Sequence, residues 1–338
     1  MLVKRRILNS VRAVAGLAIV AVFFAGLTIF GNANAQSANT LKVTPVRTDI
    51  EIMPGESKTV PVTIANLTGG DITVKAIAND FVAGDERGTP ALILDENEFA
   101  STHSLKRFMT PVPDFTIPAN KGVTLNVIIT VPATAQAGGY FGAIRFAPTD
   151  PANGGQVNLS ASVASLILLN VPGDAVEKLE LTDFDIQQGG KTGTDFRTSN
   201  DLQLTARFEN KGSVQLGPFG KVSVKQGDKV VYEADFNTEN PREMVLPDSA
   251  RRWDIPLKEI GEFGNYTVSA TFTYGTKNQT IEVSKSFWVI PQYMIIAAIV
   301  LIILIVGGIA LTVFLLIRRK KNGHKHRGGA SSMNRRMR

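Results

Sequence analysis

Apolar and polar positions alternate in short bursts along most of the chain. Thr59-Val60-Pro61-Val62-Thr63-Ile64, Ile72-Thr73-Val74-Lys75-Ala76-Ile77 and Val123-Thr124-Leu125-Asn126-Val127-Ile128-Ile129 have this pattern, and residues 140–146 and 163–171 are rich in β-formers. Alternation sends successive side chains to opposite faces of a pleated strand, so each run predicts a strand. Pro54-Gly55-Glu56, Thr68-Gly69-Gly70-Asp71 and Ala137-Gly138-Gly139 supply turns between them, because Gly accepts positive φ and Pro presets φ at about −65°. No long helical period competes with these runs. Many short strands separated by turns predict an all-β exterior built from sandwiches.

Two segments break the pattern by being apolar throughout. Residues 294–317 (MIIAAIVLIILIVGGIALTVFLLI) are 24 residues without a charge; at about 1.5 Å per residue, a helix of this length crosses a hydrocarbon core of roughly 30 Å. Nine basic residues follow with no acidic side chain (Arg318, Arg319, Lys320, Lys321, Lys325, Arg327, Arg335, Arg336, Arg338), an excess that marks the cytoplasmic side. Trp288 and Tyr293 precede the span, where amphipathic rings favour the headgroup layer. At the other end, Lys4, Arg5, Arg6 and Arg12 introduce the apolar run 13–30, and Ala33-Asn34-Ala35 fits the A-x-A rule. This predicts a signal peptide at 1–35, or an uncleaved signal anchor, since the run is longer than a usual signal core. Both readings export residues 36–293 and make the chain a single-pass type I protein of the cell membrane, its bulk extracellular.

A repeat divides the exterior. Val62-Thr63-Ile64-Ala65-Asn66, Ile117-Pro118-Ala119-Asn120 and Gly139-Tyr140-Phe141-Gly142-Ala143-Ile144-Arg145-Phe146 recur in the same order as Ala206-Arg207-Phe208-Glu209-Asn210, Leu246-Pro247-Asp248-Ser249 and Asn265-Tyr266-Thr267-Val268-Ser269-Ala270-Thr271-Phe272. Pro118 precedes Tyr140 by 22 residues and Pro247 precedes Tyr266 by 19. Each tyrosine opens a strand after a turn, as in a tyrosine corner, where the ring packs beneath the edge and the hydroxyl satisfies a turn carbonyl. The repeat predicts two tandem Ig-like β-sandwich domains at 36–172 and 173–290, divided at Pro172-Gly173-Asp174. The transmembrane helix at 294–317 and a basic cytoplasmic tail at 318–338 follow.

Composition changes this picture in two ways. The formal net charge is +6, but 13 of the 36 basic residues lie in the signal and tail while all 30 acidic residues lie between them, leaving 23 against 30, about −7, outside. An acidic exterior argues against a nucleic-acid partner, and the basic tail suits an anionic inner leaflet. Cysteine is absent, so stability must come from cores rather than disulfides. Four N-x-[S/T] sequons, at Asn66, Asn158, Asn265 and Asn278, mean glycans only in a host that makes them. A Cys-free exterior on one helical anchor reads as bacterial, in a single-membrane envelope.

With these residues on the page, the chain resembles the WxL-interacting proteins of Gram-positive cell surfaces, which share the order signal peptide, two β-sandwiches, one transmembrane helix and short basic tail. The resemblance rests on Pro54-Gly55-Glu56-Ser57, Asn66-Leu67-Thr68, Val131-Pro132 and Gly138 through Phe146 in the first half. In the second half it rests on Asn210, Leu246-Pro247-Asp248-Ser249, Gly264-Asn265-Tyr266 and Phe287-Trp288. It implies that the first domain binds peptidoglycan and the second binds host or partner proteins. Residues 81–108 are more charged than the family pattern, and Leu246-Pro247-Asp248-Ser249 replaces a more usual Ala-Pro-Asn-Ser.

Candidate chemistry is sparse. The exterior holds one histidine, His103, and no cysteine, so neither a Cys-His pair nor a His-based zinc site assembles there. No S-x-x-K motif occurs, and no cofactor or catalytic residue is assigned. Asp80, Asp85, Glu86, Asp95, Glu96 and Glu98 either gather around Ca²⁺, in a spacing unlike an EF-hand, or form a solvated acidic loop. Gly308 and Thr312 are a lone small-xxx-small pair in the span. Two function classes remain. One is a non-enzymatic binding or adhesion protein holding cell-wall polymer or surface-protein partners at the membrane; the other is a structural or sensory subunit acting as an extracellular spacer. For the first, residues 81–108 are the candidate binding loop, because connections beyond about 12–15 residues are usually functional or disordered.

Overall fold

The computed structural model describes residues 40–149 and 162–323. The expected signal segment and its cleavage site, the sequon at Asn158 and the tail beyond Gly323 lie outside the described residues. The described chain is mostly β, with one long apolar helix at its end.

In the first half, one sheet orders β1 (Leu41–Thr44), β3 (Ser57–Asn66) and β7 (Gly122–Thr130). The facing sheet orders β2 (Arg47–Glu51), β9 (Val163–Val171), β8 (Gly138–Pro148), β4 (Ile72–Ala83) and β5 (Pro90–Leu92), with β6 (Phe115–Ile117) on the other end of β4. All pairs are antiparallel except β2 with β9, so the first strands pass from one sheet to the other. The inward positions of the alternating runs meet between the layers: Val62, Ile64, Val127 and Ile129 from one side, Val74, Ile144, Phe146, Ile167 and Leu169 from the other.

In the second half, a four-stranded sheet orders β11 (Lys191–Thr192), β10 (Leu179–Gln188), β13 (Leu202–Asn210) and β16 (Ser249–Pro256). It faces a five-stranded sheet ordering β12 (Asp195–Phe196), β18 (Gln279–Val289), β17 (Gly264–Tyr274), β14 (Phe219–Gln226) and β15 (Lys229–Phe236). Its core is aromatic. Phe272 meets Phe208 at 5.0 Å and 89° and Phe236 at 4.9 Å and 69°, the edge-to-face geometry that ring quadrupoles favour. Pro172, Gly173 and Asp174 lie between β9 and β10.

The repeated motifs occupy equivalent places in the two halves. Asn66 ends β3 and Asn210 ends β13, with relative exposures of 1% and 0%. The Asn66 amide donates to the carbonyls of Gly70 (2.7 Å) and Ile117 (3.0 Å), and its side-chain oxygen accepts from the Thr68 N–H (2.9 Å). Asn210 repeats the wiring, donating to Val214 O (2.8 Å) and Val245 O (2.9 Å) and accepting from Gly212 N–H (2.8 Å). Asn66 is thus a buried structural residue rather than an exposed sequon. Tyr140 and Tyr266 are each the third residue of their strand; their hydroxyls donate to Gln136 O (2.9 Å) and Phe263 O (3.3 Å).

The terminal helix, α1 (Gln292–Gly323), begins two residues before the uncharged run and continues into the first basic residues. Its portion from Gln292 to Arg318 is long and apolar enough to cross a membrane, and none of its best apolar window is buried against the rest of the chain.

Removing the Asn210 side chain by Asn210→Ala leaves two buried carbonyls and one buried N–H unpaired, at about 1–3 kcal/mol each. Phe208→Ala opens the aromatic core and costs about 3–5 kcal/mol. Both losses are read from chemical denaturation, and an unchanged midpoint for Asn210→Ala removes the role given to this residue.

Candidate functional site

The segment 81–108 is not one loop. Phe81, Val82 and Ala83 still belong to β4 and pair with Leu92, Ala91 and Pro90 of β5, so the charged stretch begins as a hairpin tip. Asp85 builds that tip locally, accepting from the N–H groups of Arg87 (2.9 Å) and Thr89 (3.0 Å). The next residue reaches the second half of the molecule. The Glu86 carboxylate takes Arg207 Nη2 at 2.7 Å and Nε at 3.1 Å, and the Glu86 carbonyl accepts the Arg252 N–H at 2.6 Å on the open edge of β16. The Arg207 hydrogen bond holds the Glu86 carboxyl below its ordinary range, and Glu86 in turn raises Arg207. Gly88 lies against the Arg251 guanidinium. Burial pushes Arg251 down, while Glu243 grips it at 2.8 Å.

Beneath the clasp the two halves share an apolar seam. Phe81, Phe141, Ala143 and Leu168 are buried there against Met244 and Leu246. This explains the unbroken apolar run of β9: Ile167 and Leu169 face the first core, while Leu168 on the opposite face meets the second half. A cavity of about 110 Å³ remains between Leu166, Leu168, Met244, Leu246, Arg47 and Arg251. Arg47 closes the rim, holding Asp49 at 2.7 Å and donating to Arg242 O at 2.8 Å. On the far side, Gly139 N–H donates to Ser213 O at 2.8 Å. Gly138 is required by that approach, since a Cβ there would stand 2.6 Å from the same oxygen, at a φ of +149°.

The remainder of the segment is tied to the first half. Asp80, fully buried, accepts from Ala100 N–H (2.9 Å) and Lys106 N–H (2.8 Å). Lys75 pairs with Glu96 at 2.7 Å, and Lys106 Nζ donates to the carbonyls of Glu96 and Glu98. The acidic residues offered for calcium are therefore spread over backbone donors and cations, and no group of three or more metal-ligating side chains occurs among the described residues. Folding the segment over itself leaves a groove of about 430 Å³ beside the seam, where Thr102, His103, Arg107, Gln136, Tyr140 and Ser213 converge. His103 crosses the strand end with φ at 58°; its Nδ1 meets Gly139 O at 2.6 Å and its carbonyl accepts Phe141 N–H at 2.9 Å. Ser104 is buried beside it, with no hydrogen-bond partner for its hydroxyl among the described residues. Arg107 is exposed over the Phe99 ring at 4.8 Å. Cations, amides and hydroxyls here are set to bind.

No family model and no curated protein matches the chain. Among solved structures, it is similar to a chain of the chaperone–tip adhesin complex of CFA/I fimbriae biogenesis, with a TM-score of 0.39, 11% identity and coverage of 72% of this chain and 98% of that one. It is also similar to the class 5 fimbriae chaperone CfaA, with a TM-score of 0.37, 11% identity and coverage of 73% and 98%. The E. coli chaperone DraB gives a TM-score of 0.30 at 17% identity, covering 74% and 96%.

Glu86→Gln removes an ion pair that is half exposed on the carboxylate side, so its cost is about 0.2–1 kcal/mol. Because the folded carboxyl is held below its ordinary value, the contribution is complete above about pH 4.3 and fades as pH falls through the lowered value. Distance distributions between labels at Leu67 and Val230 should broaden in Glu86→Gln, and in the unaltered clasp on acidification below about pH 4.3. Identical distributions under both treatments discard the clasp.

Proposed function

We propose that this chain is a non-enzymatic cell-surface binding protein. Two tandem Ig-like β-sandwich domains stand outside the cytoplasmic membrane on a single-pass helix and hold a cell-wall polymer or surface proteins close to it. The observation that carries this reading is the groove at residues 102–107, 136–140 and 213. Its walls are locked by backbone hydrogen bonds before any ligand arrives, which spares the ordering cost that weakens binding by mobile loops. Arg107 suits a carboxylate, and Thr102, Gln136 and His103 offer partners for hydroxyls and amides. Peptidoglycan presents all three groups. The resemblance to WxL-interacting proteins supports the same ligand class, and the uncharged span with its basic flank supports the anchor.

A second reading, an extracellular spacer for a partner complex, is favoured by the clasp itself. Glu86, Arg47 and Ser213 fix one half against the other from three sides of the seam, as a strut requires.

The test uses the full chain in detergent, applied to purified peptidoglycan and, separately, used to capture partners from cell envelopes. Arg107→Glu should leave the melting transition in place, because the side chain is exposed, and should weaken retention on peptidoglycan about tenfold, the equivalent of about 1.4 kcal/mol. Retention unaffected by Arg107→Glu and by Gln136→Ala moves binding away from the groove. Loss of envelope partners on Glu86→Gln, with peptidoglycan retention unchanged, favours the spacer.

A further inference from the structure

The end of the second half from which the helix departs has a surface of its own. Strand pairing runs to the edge of α1: Trp288 N–H donates to Thr194 O at 2.6 Å and Ile290 N–H to Phe196 O at 2.8 Å. Only Pro291 then separates the sheet from Gln292, and the Pro291 carbonyl already accepts from Met294 N–H at 3.0 Å. The sheet is thus joined to the helix without a flexible linker. Gly264 pairs with Val289 in the register of β17 and β18, which sets Phe263 level with Ile290, one rung nearer the helix than Trp288. Phe263 is 49% exposed, Trp288 41% and Tyr293 63%, and all three lie at this one end.

The distances match a bilayer. From Ile290 to Met294, where the uncharged run begins, the chain advances at most about 8 Å, taking one extended and three helical residues. A headgroup layer is about 5–8 Å deep on each side of the hydrocarbon core. Phe263 is carried on the turn between β16 and β17, whose conformation is held by the Tyr266 hydroxyl and by Gln226 Nε2, both donating to Phe263 O (3.3 and 3.2 Å). An exposed ring on a backbone fixed from two sides is poised for insertion. Charge does not hold it there, since Glu259 and Glu262 outnumber Lys258 in the turn; the apolar ring does.

We propose that the turn 257–263 docks on the outer leaflet of the same membrane, with Phe263 seated among the lipid headgroups, so that the second sheet pair lies on the bilayer and the first sheet pair projects from it. This rests on reading α1 as a membrane span.

The absence of cysteine allows single labels without background. The full chain is placed in zwitterionic lipid nanodiscs with a nitroxide at Glu262→Cys, Leu304→Cys or Leu67→Cys, and collision with oxygen and with a water-soluble relaxant gives the depth of each. The expected order is Leu304 in the hydrocarbon, Glu262 at headgroup depth with loss of collision with the aqueous relaxant, and Leu67 in water. Adding Phe263→Ser to Glu262→Cys should shift that label toward the aqueous value. A label at Glu262 as accessible as the one at Leu67, with Leu304 deep, overturns the docking and leaves the anchor standing. A label at Leu304 in water overturns both.

Discussion

The fold depends on two buried asparagines. With no cysteine to staple its connections, the chain must hold two loop crossings by hydrogen bonds alone, and Asn66 and Asn210 do this at the last residue of β3 and β13. Each presents both donors and its acceptor to backbone groups that no strand could satisfy there. A buried polar group without partners costs about 1–3 kcal/mol, so these side chains decide whether the loops return to the core at all. From this follow the positions of the prolyl turns and, in the next strand, of the two tyrosines whose hydroxyls close the opposite corners.

The seam is the second constraint, and it acts on both faces of β9. An apolar strand face in water is a liability; Leu168 is covered only because Met244 and Leu246 of the other half lie over it. The charged hairpin tip does complementary work at the rim. It places Glu86 on Arg207 and lends a carbonyl to the edge of β16, so the same strand extension that leaves the first sheet also caps an open edge of another.

These contacts set an axis. The end of the second half that carries Phe263, Trp288 and Ile290 meets the helix, and the end that carries Ser213 and Arg242 meets the first half. The groove around His103 and Arg107 lies at that second junction, away from the helix. A ligand held there is kept at a height determined by one sheet pair.

The sequence by itself determined the strands, their inward faces, the terminal span and the paired motifs, because each is encoded within a few residues by period, turn chemistry or charge. It showed that Tyr140 and Tyr266 belong to corners, and that no histidine or cysteine cluster exists. It misread residues 81–108 as one excursion, since the partners that give this segment structure are remote: Glu86 meets Arg207 121 residues away, and the Arg207 neighbourhood of alternating residues carries no mark of that contact. Gly138 reads as a turn residue, while its reason for being glycine is the Ser213 backbone pressed against it. Only the tertiary structure decided which carboxylates are spent on cations and backbone, where the groove opens, and that Phe263 stands beside the membrane span, because each of these depends on register between strands far apart in the chain.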